Sequence, residues 1–377
     1  CDRCVRICNE YRLSSILSLK QRGKETTIGP AFDASHIEAN CEFCGACVSV
    51  CPTGAMSEKS RKWWGLPEKY FDSVCPGCSM NCDIQVLTLK DKIVGTIPPG
   101  IPHEAGGELC VKGRFCLSEL VNRTKRILEP EYKYKEGYGI VNWEFALEKA
   151  AELIKGTKAK RSALLLSPSL SLEELFKAEA IAKNILKTKD ISSSVIDKNT
   201  FAFMRMAVNS VKLKDLDKAK SLVSFFLNGN YNFAPLSLKI KKSANSGKNY
   251  VQVGWTKDTT SRFAQTYITP NACNEHAFLE NVISGLKDKK NVNDRNRAII
   301  EALQYSKPAV IVGPEIMSLN NCISLLDKIN QIIELTNAML YMPNPYGNLT
   351  GMFHMMKLKT FDDMQLNIDN GKYDLLY

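Results

Sequence analysis

The run CEFCGACVSVCPTGA beginning at Cys41 confines this chain more than any other feature. It reads C-x2-C-x2-C-x3-C-P, the ligand spacing of paired four-iron clusters. Four thiolates must converge on one small volume, and two-residue gaps let a tight loop present three sulfurs while its amides face inward. Gly45, Ala46 and Gly54 leave room for that approach. Pro52 then turns the chain away after Cys51. Structural zinc usually takes paired C-x2-C units, which this run fits poorly.

In such a run the fourth cysteine ligates the other cluster, so a partner run is expected. Cys1, Cys4 and Cys8 in CDRCVRIC supply the last three cysteines of one. By the exchange rule, Cys8, Cys41, Cys44 and Cys47 hold one cluster. Cys1, Cys4 and Cys51 hold the other, with a fourth ligand expected upstream. The chain opens on Cys with no basic-then-apolar leader, and is expected to lack its natural start.

A third run follows the aromatic linker Trp63, Trp64 and Tyr70: Cys75, Cys78 and Cys82 in CPGCSMNC, then 27 residues, then Cys110 in LCVKGRF. This predicts a third cluster, although C-x2-C with a distant cysteine also suits zinc. Three 4Fe4S clusters need about twelve thiolates. The motifs use eleven of the chain's 14 cysteines, leaving Cys116, Cys273 and Cys322.

C-x2-C-x3-C followed by LCVKGRF resembles the amino-terminal iron-sulfur domain of the molybdopterin-dependent oxidoreductases. That resemblance implies that Lys112 lies between cluster and pterin, where a plain surface lysine would have no such partner. The order of segments is similar to the large iron-sulfur subunit of bacterial NADH:quinone oxidoreductase and, equally, to the alpha subunit of NAD-linked formate dehydrogenases. Iron-only hydrogenases share a nearly identical CPTGA run but continue into a catalytic cysteine set not found here. The first likeness implies an electron relay from an NADH-oxidising flavoprotein partner toward quinone. The second implies a catalytic subunit carrying molybdopterin guanine dinucleotide with molybdenum or tungsten.

At about 100–200 residues per domain, 377 residues predict two to four domains. A chain of this length can fold without disulfides. The net charge of +10 is spread through mixed segments such as VKLKDLDKAK from Val211, which reads as a solvated face and not as a nucleic-acid site. No run of about 18 apolar residues suggests a membrane span, so membrane association would come through partners. Oxygen-sensitive clusters place the protein in a reducing compartment, the cytoplasm.

After Cys110 the texture changes to alternating helical and apolar runs. Helices are expected over Trp143 to Ile154, with Phe145, Leu147, Ala150, Ala151 and Leu153 on one face, and from the capping box Ser171/Glu174 to Leu186. Further helices start at Pro235, pass Phe278 and Val282, and lie near Leu325. Strands are expected at Ala163, Ser221, Tyr250 and Ala309. The expected fold is an α+β two-cluster ferredoxin-like segment (1–62), a small iron-sulfur domain (68–126) and an α/β body with a mostly parallel sheet (127–377). The body is expected to be incomplete at its carboxyl end, where GKYDLLY reads as a strand.

Parallel sheets place ligands beyond the carboxyl ends of their strands, here the loops Asn228 to Asn232, Thr256 to Asp258 and Asn344 to Gly351. The resemblance implies cofactor contacts at Asn228 and Asn230. LNGNYNFAP departs from the family's usual Gly-rich turn with Asn-Pro, while NPYGNLTGM around Gly347 resembles its Asn-and-Gly stretch. Where the family places a metal-ligating Cys, residues 191–220 hold neither Cys nor His, leaving Ser194 or Asp197 as alternatives and Arg205 as an ordinary helix residue. His36, His103, His276 and His354 are too widely spaced to form a metal motif. Cys273 and Cys322 read as buried small residues at helix starts, and Cys116 as an additional candidate near the third cluster.

Overall fold

A computed structural model describes residues 1–59, 61–99, 108–156, 161–230, 232–288 and 294–377. His103, and Tyr231 of the first candidate loop, lie outside the described residues. The chain forms two compact units, one of Cys1–Val121 with Asn209–Gly347, the other of Asn122–Val208 with Asn348–Tyr377. Residues 209–347 of the expected body therefore group with the cysteine-rich segments. The reason is a shared core: Cys78 packs in one apolar cluster with Leu222, Leu227, Phe233, Leu236 and Tyr341.

The first unit is built on five parallel strands in the order Thr266–Ile268, Asn249–Val253, Ser221–Phe225, Pro308–Val312, Met339–Tyr341. Every residue of Ser221–Phe225 and Pro308–Val312 is buried. Apolar runs such as PAVIV suit this, because a parallel strand covered on both faces has no side to give to water. Helices Ala234–Asn245, Glu275–Lys287, Asp294–Leu303 and Cys322–Thr336 accompany these strands. Strand order reverses between Ser221–Phe225 and Pro308–Val312, which places the ligand crevice of such sheets beyond Phe225 and Val312.

The cysteine-rich part adds a three-stranded antiparallel sheet of Lys69–Val74, Asp83–Leu89 and Lys92–Ile97. The third cysteine run is the connection between its first two strands. The amide of Cys75 donates to the carbonyl of Cys82 at 2.8 Å, closing that loop at its base.

In the second unit, Ser162–Leu165 lies between Ile191–Ser192 and Leu375–Leu376, all parallel. The expected capping box opens the helix Leu172–Ala180: Ser171 Oγ accepts from the Glu174 amide at 3.2 Å, and Glu174 Oε2 from the Ser171 amide at 2.8 Å. Asp197 caps the helix Lys198–Ala207, accepting from the Thr200 amide at 2.7 Å. The helix Trp143–Gly156 forms where expected, yet none of its residues is buried and Leu147 and Leu153 are exposed. Periodicity set the helix, but no neighbouring element among the described residues covers its apolar stripe fully.

Candidate functional site

Cys8, Cys41, Cys44 and Cys47 line one cavity of about 830 Å³, together with Arg12, His36 and Glu42. Cys8 lies in the helical turn Ile7–Tyr11, while Cys41 and Cys44 come from the loop that leads into the helix Ala46–Ser49, which carries Cys47. Gly45 caps that helix at φ 73°, a conformation that favours glycine. Burial pushes the Cys41 thiol up to about 11 against the pull of the Phe43 amide. Burial, then the neighbouring thiols of Cys44, Cys41 and Cys8, push Cys47 up to about 12. Burial likewise raises Cys44, and crowded thiols of this kind are stabilised as thiolates when a cation neutralises them.

The same loop carries buried charges that motif spacing did not single out. Arg12 Nη1 donates to Glu108 Oε2 at 2.9 Å and Nη2 to Glu42 Oε2 at 2.7 Å. Lys241, on the helix Ala234–Asn245, donates to Glu42 Oε1 at 2.5 Å. Burial alone would raise Glu42, but Arg12 and Lys241 outweigh it and hold the carboxyl below its ordinary range. The one sequence signal was a carboxylate or guanidinium set among Cys, Gly and apolar residues, as Glu42 is in CEFC and Arg114 in KGRFC.

Cys75, Cys78 and Cys82 are buried, with Cys110 half-buried beside Leu109. Burial, opposed by the Met80 amide and reinforced by the charges of Cys110 and Cys75, pushes Cys78 up to about 11. Burial, then Cys78, Cys75 and Cys110, raises Cys82 further. Their surroundings are apolar, with Ile84, Leu109 and Leu117 packed against Cys75 and Cys82. A Cβ added at Gly113 would meet Cys75 Sγ at 3.3 Å and one at Gly77 at 3.4 Å, so the two glycines open the backbone at that sulfur. A cradle of this kind around four thiols fits an iron-sulfur cluster. Lys112 is half-buried beside Gly77, and its charge acts on Cys75.

Of the remaining expected ligands, Cys1 is exposed and Cys4 buried, while Cys51 borders a second cavity of about 570 Å³ with Arg3, Arg6 and Tyr11. The Met56 amide, then the hydroxyl and amide of Thr53, pull Cys51 down to about 7. Cys116 is exposed and lines the cavity of Cys41, Cys44 and Cys47. Cys322 is buried at a helix start as expected, but Cys273 is exposed at φ 63°, in a turn ahead of the helix Glu275–Lys287. Its hydrophobicity did not decide its place because the turn needed a left-handed residue there. Among the described residues, no three His, Cys, Asp or Glu side chains are grouped to hold a single metal ion.

Beyond the carboxyl ends of the strands, the described loop groups bond to one another. Asn228 Oδ1 accepts from the Asn230 amide at 3.2 Å, and Asn230 Oδ1 from the Thr259 amide at 2.8 Å. Buried Asp258 accepts from the amides of Gly229 at 2.7 Å and Thr260 at 2.9 Å. Gly313 packs directly on the backbone of Phe226 and Leu227, and its amide donates to the Phe225 carbonyl at 2.8 Å. Trp255 stacks on Phe226 at 4.6 Å. The side-chain oxygens of Asn228, Asn230 and Asp258 are thus engaged by backbone amides of these loops. Arg205 is exposed and Asp197 serves as a helix cap.

Residues 1–55 match the 4Fe-4S dicluster domain and residues 68–122 the Molybdopterin oxidoreductase Fe4S4 domain. The chain is 30% identical over 199 residues to an NADH-quinone oxidoreductase subunit of Rhizobium meliloti (strain 1021), covering 52% of this chain and 22% of that protein. It is 25% identical over 288 residues to NADPH-Fe(3+) oxidoreductase subunit alpha of Geobacter sulfurreducens, covering 73% of this chain and 33% of that one. The chain thus spans a third or less of these curated relatives. Acetylene hydratase from Pelobacter acetylenicus shares the fold at TM-score 0.56 and 14% identity, over 71% of this chain and 43% of the other.

Proposed function

The chain carries a 4Fe-4S dicluster domain followed by a molybdopterin oxidoreductase Fe4S4 domain, and from that premise we propose that it is an electron-relay subunit of an NADH-linked oxidoreductase complex. One observation carries the reading: two groups of thiols, Cys8 with Cys41, Cys44 and Cys47, and Cys75 with Cys78, Cys82 and Cys110, stand in one compact unit. Iron-sulfur clusters supply one-electron storage when bound. The residues of this chain hold them, exclude water and fix the surrounding charge.

In this reading Cys8, Cys41, Cys44 and Cys47 ligate one cluster, Cys75, Cys78, Cys82 and Cys110 another, and Cys1, Cys4 and Cys51 belong to a third. An NADH-oxidising flavoprotein is the partner upstream and quinone lies downstream, with the protein on the cytoplasmic side and membrane contact only through the complex. Both relatives being named as subunits supports a complex. No described helix is long and apolar enough to cross a membrane.

Elemental analysis of anaerobically purified protein, combined with NADH reduction in the presence of partner subunits, tests the proposal. Iron and sulfide near twelve each, NADH-reducible, without molybdenum or tungsten, is the expected result. About one molybdenum or tungsten per chain with formate-dependent dye reduction would replace it with the formate dehydrogenase reading, in which Lys112 beside Cys75 bridges cluster and pterin.

A further inference from the structure

Two buried arginines flank the loop of Cys41, Cys44 and Cys47. Arg12 is 1% and Arg114 2% exposed. Arg12 lines the cavity that Cys8, Cys41, Cys44 and Cys47 share. Arg114 comes from the segment just after Cys110, and its side chain lies over Gly45. A Cβ added there would sit 2.6 Å from Arg114 Nε.

Both arginines have one polar atom left over. Arg12 uses its two terminal nitrogens on Glu108 and Glu42, and Arg114 donates Nη1 to the Thr96 carbonyl at 2.7 Å. Each Nε is buried without a hydrogen-bond partner among the described residues. A buried donor is rarely left unpaired, and the acceptors missing here are those a thiolate-ligated centre offers. The formal charges of Arg12, Glu42, Glu108 and Lys241 cancel, while Arg114 adds a cation whose terminal donor meets a neutral carbonyl.

We propose that Arg12 and Arg114 set the reduction potential of the iron-sulfur centre held by Cys8, Cys41, Cys44 and Cys47, stabilising its reduced form through positive charge and their Nε–H donors. The inference rests on the relay reading above. One-electron reduction, from a reduced neighbour in the relay, adds one negative charge beside these arginines; no bond forms or breaks and no proton moves. Nearby cations favour that added charge most where water is excluded, and hydrogen bonds to sulfur are a recognised means of tuning potential.

The test is an EPR-monitored redox titration of the cluster-loaded full chain with its partner subunits, comparing wild type with Arg12→Gln, Arg114→Gln and the two Arg→Lys variants. The signal is assigned as the one altered by Cys47→Ser. Each Gln variant is expected to lower that centre's ratio of reduced to oxidised form at fixed potential about tenfold, equivalent to about 59 mV for one electron. Lys is expected to recover part of the shift, and the other signals to stay put. If Arg12→Gln fails to accumulate because two carboxylates lose their partner, the Arg114 pair decides alone. Unchanged midpoints at wild-type iron content would overturn the inference and leave the relay standing. A wild-type chain without reducible clusters would overturn both.

Discussion

Each unit of the molecule has its own network around a buried carboxylate, and the two are built differently. In the first, Arg12, Glu42, Glu108 and Lys241 join among thiols, and arginine Nε atoms remain without protein partners among the described residues. In the second, the carboxylate of Asp190 accepts from Lys359, from Tyr373 at 2.6 Å and from Lys372 at 3.3 Å, with no cysteine nearby in the chain. The second network is closed on itself and ties chain segments together. The first has donor capacity left over, and that surplus separates a network facing a bound group from one that only holds the fold.

The largest expected effect that would break this contrast is on stability in the first network. Glu42→Ala leaves Lys241 buried without its carboxylate and strips one partner from Arg12, which should cost about 3–5 kcal/mol. Guanidinium denaturation of the cluster-loaded chain checks this, and a loss below about 1 kcal/mol would mean the charges are hydrated after all. Next comes Asp190→Asn, expected to cost about 1.5–3 kcal/mol at pH 7 as charge-assisted hydrogen bonds are lost.

That second substitution also carries a pH signature. Burial would raise Asp190, but its bonds from Lys359 and Tyr373 outweigh it and hold the carboxyl below the ordinary value of about 3.9. A depressed carboxyl contributes stability that is fully present above its unfolded pKa and is lost as pH falls through the folded one. The advantage of wild type over Asp190→Asn should therefore be full above about pH 5 and shrink as pH falls below the ordinary carboxyl value of about 3.9; parallel curves across that window would refute the assignment.

Gly45→Ala should cost about 1–2 kcal/mol, because the position is left-handed and the new methyl meets Arg114. Its more telling readout is the spectrum of the neighbouring centre, over whose loop the Arg114 side chain lies. The smallest effect is predicted for Lys149→Ala, which removes an exposed pair to Glu152 at 2.7 Å and should leave the denaturation midpoint unchanged. A large drop there would show that surface pairs matter as much as the two networks.

Several elements were legible in the residues alone. The capping box at Ser171 and Glu174 formed as expected because all its atoms lie within one helical turn. PAVIV became a central strand because nothing in it favours water on either face, and SLVSF because its two serines find partners in Ala302 and Tyr250. The exposed stripe of Trp143–Gly156 and the turn at Cys273 were not legible, since burial depends on which element arrives from elsewhere. Asn228 and Asn230 carry side chains suited to a ligand, but their oxygens are taken by amides of their own and a neighbouring loop.

The ligand loops follow directly from the order of residues, because sulfurs two or three residues apart are set by local backbone geometry. The alternation of strands and helices follows for the same reason, since periodicity is a property of neighbours. What surrounds the sulfurs was decided in three dimensions. Arg12 meets Glu42 across 30 residues and Glu108 across 96, while Glu42 meets Lys241 across 199. At such separations no local pattern says which charge will face which. The partner is chosen when packing the apolar core brings the segments together and removes the water that would otherwise have satisfied each charge alone.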